Sequence, residues 1–173
     1  PVTVIPAPDL VIQPPLLSVC SGAATLINLS AASPLTTFSW QAGLSSGNIT
    51  GFSGGAGPVI SQTLTNLEFV PGTVTYTITS SIGSCLAQPV NYPVTVNPSP
   101  SVMNGGIQPP VCSGGWITLT PLSNVSGTAF TWTATASSPD LSGYSPGTGP
   151  TIHQQLYNVG FGGASVLYSV TPE

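Results

Sequence analysis

The chain has 173 residues, with no Lys or Arg, four Asp or Glu, one His and 40% hydrophobic residues. Binding to nucleic acid and attraction to anionic lipid surfaces both depend on cations that this sequence lacks, so both partners are excluded. Low charge combined with this hydrophobic content favours a folded core over disorder, and no apolar run reaches the roughly 18 residues of a membrane span.

The tetrapeptide Pro-Val-Thr-Val opens the chain at residues 1–4 and recurs at residues 93–96, 92 positions later. Each copy runs into a proline-rich stretch, which favours an extended, semi-rigid spacer. We interpret each copy as the closing strand of a small β-domain. Residues 1–8 are then a closing strand and joint that complete a neighbouring unit.

The same spacing of 92 residues relates further landmarks in the two halves of the chain. These are Cys20 and Cys112, Phe38 and Phe130, Trp40 and Trp132, Gly57 and Gly149, Leu64 and Leu156, and Tyr76 and Tyr168. Self-similarity at a fixed period indicates tandem domains, so we predict repeat 1 over residues 9–97 and repeat 2 over residues 98–173. We expect the core to contain Phe38, Trp40, Tyr76, Phe130 and Trp132.

Hydrophobicity alternates with a period of two inside each repeat, as in residues 73–79 and 165–171. Such alternation is typical of half-buried strands in antiparallel sheets. Further strands are predicted at residues 24–30, 36–41, 59–64, 90–96, 116–122, 128–134 and 151–156. Short strands separated by Gly, Pro, Asn and Ser turns predict an all-β chain of two tandem immunoglobulin-like sandwiches, the second without its final strand.

Three cysteines occupy informative positions in the repeats. A disulfide between Cys20 and Cys85 is expected in repeat 1, and Cys112 would then lack its partner because that position falls beyond residue 173. Such a bond would imply an oxidising compartment. The alternative is three reduced, buried thiols.

Several longer motifs carry a family resemblance. They are Cys-Ser-Gly at 20–22 and 112–114, Phe-Ser/Thr-Trp at 38–40 and 130–132, Asn-Ile-Thr-Gly at 48–51, and Ile-Ser-Gln-Thr-Leu-Thr-Asn at 60–66. With the Val-Thr-Tyr-Thr-Ile-Thr strand at 74–79, they resemble the PKD-like, immunoglobulin-like tandem repeats of extracellular surface proteins in Bacteroidota. The resemblance implies a place outside the cell, in a filament or adhesin stalk.

The second repeat would expose an unpaired strand edge, and exposed edges recruit further strands. We expect an acceptor strand containing Val166, Tyr168 and Val170. The predicted donor is the opening segment of another copy, composed of Pro1, Val2, Thr3, Val4, Ile5 and Pro6. Head-to-tail addition of this kind builds an open homopolymer.

Two alternatives to strand exchange stay open. The chain is either one window of a longer covalent array of repeats, or a fragment that does not assemble. A further alternative for function is a carbohydrate- or surface-binding adhesin module, since Phe52, Trp116, Tyr144, Tyr157 and Phe161 lie in turns or at strand ends. The competing interpretation is that these aromatics seal the ends of the sandwiches.

Possible glycosylation is indicated at three Asn-x-Ser/Thr triplets, which begin at Asn28, Asn48 and Asn124. An enzyme is not expected, because the single histidine, His153, is interpreted as a solvent-facing strand residue and the four carboxylates are scattered. We predict no cofactor, and a calcium ion held by backbone carbonyls and Asp140 is a minor alternative.

Overall fold

The structure, a computed structural model, describes residues 4–5 and 7–173. These residues form strands, turns and loops, and no helix among them is long and apolar enough to cross a membrane. The chain divides into two compact units, Pro1–Ser99 and Pro100–Glu173. Both are built from β-strands, which confirms the predicted all-β fold.

Unit 1 contains eleven strands in the part of the chain that the structure describes. They are β1 (Val11–Gln13), β2 (Leu17–Cys20), β3 (Ile27–Ser30), β4 (Thr37–Ser46), β5 (Ile49–Thr50), β6 (Gly55–Ala56), β7 (Val59–Ile60), β8 (Thr65–Asn66), β9 (Gly72–Ile82), β10 (Cys85–Leu86) and β11 (Val90–Asn97).

The larger sheet of unit 1 has the strand order β2-β11-β9-β4-β6, with β10 beside one end of β9. A second sheet has the order β1-β3-β7, and β5 pairs with β8. Apolar side chains fill the interior between them because residues of one parity along each strand face inward. Val74, Tyr76 and Ile78 of β9 are fully buried, as are Ile27 of β3 and Ile60 of β7.

Unit 2 repeats this plan with six strands among its described residues. They are β12 (Gly115–Leu119), β13 (Phe130–Ala136), β14 (Leu141–Ser142), β15 (Gly147–Thr148), β16 (Ile152–Asn158) and β17 (Val166–Pro172). One sheet has the order β12-β16-β14 and the other β15-β13-β17. Phe130, Trp132, Leu141 and Ile152 are buried, as Phe38 and Trp40 are in unit 1.

One pairing in unit 1 differs from the antiparallel sheets that the alternation suggested. The short strand β2 pairs with β11 in parallel, with Leu17 opposite Val94 and Cys20 opposite Asn97. The alternation of hydrophobic residues predicted no strand at Leu17–Cys20. Because β2 covers the outer edge of the closing strand, β11 lies inside the sheet rather than at its border.

The structure corrects the prediction of a disulfide between Cys20 and Cys85. Both residues are free thiols, as is Cys112. Cys20 pairs with Asn97, beyond the Gly72 end of β9, whereas Cys85 pairs with Ile82 at its other end. The 11 residues of β9 separate those ends by roughly 30 Å at the rise of a strand, and a disulfide needs Cα atoms within about 7 Å. Cys112 is exposed.

Candidate functional site

The closing strand of unit 1, β11, lies between β9 and the edge strand β2. β11 pairs antiparallel with β9, with Val94 opposite Val74 and Val96 opposite Gly72. On its other side it pairs with β2. Val94 and Val96 are fully buried, so this strand supplies both backbone partners and core side chains. At about 25 cal/mol per Å² of apolar surface, burying two valines contributes several kcal/mol.

The corresponding place in unit 2 holds no strand among the described residues. β17 pairs with β13, with Trp132 opposite Val170 and Ala134 opposite Tyr168. Its other edge has no strand partner in the described part of the chain. The segment 109–112, which corresponds to β2, is not a strand either. We use the term open edge for the backbone side of β17 that has no strand partner among the described residues, together with segment 109–112.

Side-chain burial follows this difference in strand pairing. Val166, Tyr168 and Val170, the predicted acceptor residues, lie on one face of β17 and are only half-buried. Their counterparts Val74, Tyr76 and Ile78 are fully buried. The same alternating pattern thus forms a covered core face in unit 1 and a partly uncovered one in unit 2.

The predicted donor residues lie partly outside the described residues, namely Pro1, Val2, Thr3 and Pro6. Val4 and Ile5 are described, and their exposed fractions are 87% and 42%. The spacing of 92 residues makes these two residues equivalent to Val96 and Asn97 at the end of β11.

A hydrogen-bonded hub that the sequence analysis missed lies beside the buried tryptophan of each unit. In unit 1, the Trp40 indole donates to the carbonyl oxygen of Ser53 at 3.2 Å, and Gln62 Nε2 donates to the same oxygen at 2.9 Å. Gln62 Oε1 accepts from the Ser53 amide at 3.1 Å and from the Tyr76 hydroxyl at 2.8 Å. Burial raises the pKa of Tyr76 to about 12.

Unit 2 reproduces the hub with equivalent residues. Gln154 makes the same contacts to Ser145, and the Tyr168 hydroxyl donates to Gln154 Oε1 at 2.7 Å. Trp132 donates to the Ser145 carbonyl oxygen at 3.2 Å. Burial also raises the pKa of Tyr168. The spacing of 92 between Gln62 and Gln154 was a sequence signal that could have identified this hub.

An exposed aromatic pair distinguishes the β12-β16-β14 sheet of unit 2. The rings of Trp116 and His153 are stacked, with centroids 4.6 Å apart and planes 12° apart. Thr118 Oγ1 lies 2.8 Å from His153 Nδ1. Trp116 is 56% exposed and Tyr157, on the same face, is 43% exposed. We call Trp116, His153 and Tyr157 the aromatic platform.

The remaining candidate residues do not form a common site. Phe52 and Tyr144 are half-buried and Phe161 is fully exposed. Among the potential glycosylation residues, Asn28 and Asn48 are exposed, and Asn124 Oδ1 accepts from the Ser101 amide at 2.7 Å. Within residues 4–5 and 7–173, no group of three His, Cys, Asp or Glu side chains lies close enough to hold a metal ion, and Asp140 is exposed.

Comparison with known proteins gives one family and several distant structures. A family model described as a PKD-like domain matches residues 17–100 and again residues 110–173. No curated protein matches the sequence.

The solved structures with detectable similarity include immunoglobulin and cadherin domains. A chain in the crystal structure of Dpr2 Ig1-Ig2 in complex with DIP-Theta Ig1-Ig3 is 16% identical, with a TM-score of 0.37 over 96% of this chain and 62% of that one. The crystal structure of DIP-gamma IG1+IG2 is 11% identical, with a TM-score of 0.37 over 94% and 95% of the two chains. Protocadherin Gamma B2 extracellular cadherin domains 3-6 are 16% identical, with a TM-score of 0.36 over 95% and 50%. The chain thus spans 62% of the matched chain in the Dpr2 complex and 50% of the protocadherin chain.

Proposed function

Because the chain belongs to the PKD-like domain family, we propose that it is a structural module of an extracellular filament or adhesin stalk. In this proposal the open edge of unit 2 is completed by the opening segment, residues 1–6, of the next copy. The chain is then a head-to-tail building block without catalytic activity. Its resemblance to tandem repeats of Bacteroidota surface proteins supports a role outside the cell.

The observation that carries the proposal is the closed state of unit 1. There, a Pro-Val-Thr-Val strand occupies the place that stands open in unit 2, and two of its valines are fully buried. The same tetrapeptide stands at residues 1–4. Since an unpaired edge exposes a row of backbone donors and acceptors, a strand with this sequence is a matched partner for unit 2.

Polymer growth follows from the direction of this contact. The donor segment and the acceptor edge are different surfaces, so the interface is heterologous and every added copy presents a new open edge. Composition agrees with this role, because the chain has no lysine with which to guard a strand edge. Pairing between copies satisfies the edge instead.

The test is self-assembly of the purified chain, followed by sedimentation and electron microscopy over a range of concentrations. Wild-type chain is expected to form multimers and filaments. The double variant Val2→Asp, Val4→Asp is expected to remain monomeric, because it would bury two carboxylates in the acceptor groove. Ala7→Asp, which adds charge beyond the donor segment, is the control and should assemble. A wild-type chain that stays monomeric at every concentration contradicts the proposal.

The source of the completing strand is tested by the mass of denatured native material. Subunits that exchange strands give a species near 17.4 kDa. A much heavier polypeptide shows instead that the closing strand belongs to the same covalent array of repeats. In that case the module is still a stalk element, but its units are joined by peptide bonds.

A second candidate function, binding of uncharged saccharides, is favoured by the aromatic platform. Exposed, flat aromatic rings stack on the apolar faces of sugar rings, and Thr118 and His153 place polar atoms beside the indole. The corresponding residues of unit 1, Ala24 and Ser61, cannot form such a stack. This surface would give a stalk an adhesive face.

The saccharide hypothesis is tested with neutral oligosaccharides of glucose, mannose and N-acetylglucosamine. Titration into the chain, followed by tryptophan fluorescence and NMR, is expected to show binding that Trp116→Ala weakens about tenfold, the size of a stacking contribution. Phe69→Ala removes an aromatic of similar exposure from unit 1 and should leave binding unchanged. Absence of binding to all three classes argues against the platform as a saccharide site.

A further inference from the structure

A buried asparagine joins the closing strand of unit 1 to the loop before β9. Asn66 Nδ2 donates to the carbonyl oxygen of Val96 at 2.9 Å and to that of Val70 at 2.8 Å. Its Oδ1 accepts from the Glu68 amide at 2.9 Å. Because this side chain is 93% buried, all three bonds lie in a region of low dielectric, where an unmade bond is costly.

The backbone of Asn66 is held in place by a neighbouring hydroxyl. Ser21 Oγ accepts from the Asn66 amide at 3.0 Å and lies 3.3 Å from its carbonyl oxygen. Ser21 follows β2 directly. The asparagine is therefore fixed by the loop, by the end of β2 and by the closing strand at once.

Unit 2 contains the same arrangement without the closing strand. Ser113 Oγ accepts from the Asn158 amide at 3.0 Å, and Asn158 Oδ1 accepts from the Gly160 amide at 2.9 Å. Asn158 Nδ2 donates to the Gly162 carbonyl oxygen at 2.9 Å. Among the described residues, nothing in unit 2 takes the place of the Val96 carbonyl. Within residues 4–5 and 7–173, the second N–H of the Asn158 side chain therefore has no acceptor.

We infer that Asn158 fixes the register in which the opening segment of a second copy enters the open edge, an inference that rests on the proposed function. The Val4 carbonyl oxygen of the incoming copy accepts the free Asn158 N–H, as the Val96 carbonyl does from Asn66. The strand runs antiparallel to β17, with Val4 opposite Ala164, as Val96 lies opposite Gly72 in unit 1. Asn158 is a positioning residue for assembly.

The occupant is identified by sequence and by exposure. Val4 and Ile5 occupy the positions of Val96 and Asn97 in the repeat, and both are exposed in their own chain. A one-residue slip would turn both donor valines away from the core face, because side chains alternate along a strand. A specific hydrogen bond at the end of the strand selects one register from the possible ones.

Cys112 provides a natural reporter of this register. In unit 1, Cys20 lies opposite Asn97 in the parallel pair of β2 and β11. With segment 109–112 pairing to the incoming strand as β2 does to β11, the inferred register places Ile5 of the incoming copy opposite Cys112, an exposed free thiol. Neighbouring strands bring opposed residues to about 5 Å, which is within reach of a disulfide.

The experiment places a cysteine in the donor segment of the full chain. In a Cys20→Ser, Cys85→Ser background, Ile5→Cys is expected to give covalent multimers under mild oxidation, through a disulfide to Cys112 of the next copy. Val4→Cys directs its thiol to the opposite face and should cross-link far less. Asn97→Cys, in a chain that keeps Cys20 but carries Cys85→Ser and Cys112→Ser, should form an intrachain bond and calibrates the geometry.

A second measurement addresses Asn158 directly. Asn158→Asp keeps the oxygen that receives the Gly160 amide but removes both side-chain N–H donors. The bond to Gly162 is lost in the free and the assembled chain alike, so assembly should weaken about tenfold, the equivalent of the one hydrogen bond lost between copies. Val159→Asp adds the same charge at an exposed neighbour and should assemble normally. Retained tryptophan fluorescence and circular dichroism of both variants show that unit 2 stays folded.

The outcomes distinguish this inference from the proposed strand exchange on which it rests. Multimers that cross-link through position 4 rather than 5, or that tolerate Asn158→Asp as well as Val159→Asp, overturn the register but leave strand exchange standing. A chain that never multimerises overturns both. Selective cross-linking through position 5 together with weakened assembly of Asn158→Asp supports the register.

Discussion

The two units of this chain have several of the same residues at equivalent positions, but the strands β9 and β17 differ in how many neighbouring strands cover them. In unit 1, β9 lies between β4 and β11, and its inward side chains are fully buried. In unit 2, β17 has one partner among the described strands, and the equivalent side chains are half-buried. Burial here is set by the neighbouring strand and not by the residue itself.

Other features are the same in both units. These features form within each repeat whether or not a closing strand is present. The hub of Trp, Gln, Ser and Tyr has nearly identical distances in the two units. The buried tryptophans are 7% and 8% exposed. The comparison therefore separates interactions within a repeat from those that depend on strand completion, and the predictions below test this separation.

The largest effect is expected from Val96→Asp in the closing strand of unit 1. Val96 is fully buried, and an unpaired carboxylate there should destabilise unit 1 by about 4 kcal/mol or more. Hydrogen exchange measured by NMR should show the protection of the β9 amides falling to that of the β17 amides. Thr95→Asp places the charge on the other face and should cost much less. Undiminished protection of β9 would show that β11 does not stabilise this sheet.

A smaller loss, similar in the two units, is expected from Gly51→Ala and Gly143→Ala. These glycines have φ of +92° and +90°, and an added Cβ would collide with the carbonyl oxygens of Thr63 and Gln155 respectively. Each substitution should cost about 2 kcal/mol or more in urea unfolding. Gly57→Ala, with positive φ but open space around the added atom, should cost less. A loss confined to one unit would break the equivalence of the repeats.

Substitution of the hub glutamines should cause similar, intermediate losses of stability in the two units. Gln62→Ala and Gln154→Ala each leave a tyrosine hydroxyl and a serine backbone without their partner, so each should destabilise its unit by about 1–2 kcal/mol. Ser61→Ala changes the exposed neighbour and serves as the control in the same unfolding experiment. Equal losses of stability would support a hub that is independent of the closing strand. A markedly smaller loss for Gln154→Ala would contradict this independence.

The smallest effect under ordinary conditions is an alkaline loss of stability that involves Tyr76. Burial raises its pKa from 10.0 to about 12, so the unfolded chain releases the phenolic proton first. The contribution to stability is complete below pH 10 and falls as the pH rises toward about 12. Phenolate absorbance should show this titration, and Tyr76→Phe should remove its share of the pH dependence. An unshifted titration of Tyr76 would show that the hydroxyl is accessible to water.

Much of the fold followed from patterns that are local or strictly periodic. Alternation in residues 73–79 and 165–171 specified strands because only one face of each meets the core. The spacing of 92 residues specified two repeats, since equivalent landmarks such as Trp40 and Trp132 occupy equivalent places. The hub carried the same signal at Gln62 and Gln154, but its polar residues do not stand out in a hydrophobic pattern.

Other features depend on which strands become neighbours, and the sequence analysis was wrong or silent about them. The Cys20–Cys85 bond followed from the order of residues along the chain, yet β9 separates the two thiols by its full length. The parallel pairing of β2 with β11 joins segments more than 70 residues apart, and no local pattern encodes such a contact. The stack of Trp116 on His153 likewise requires β12 and β16 to be adjacent.

The amino-acid sequence by itself determined an all-β chain of two related repeats, because periodicity and duplication are properties of the order of residues. Only the tertiary structure decided that β2 and β9 flank the closing strand of unit 1, that β17 has one strand partner among the described residues, and that Cys20 and Cys85 lie apart. The physical reason is that pairing, distance and hydrogen-bond satisfaction belong to residues brought together by folding from remote parts of the chain.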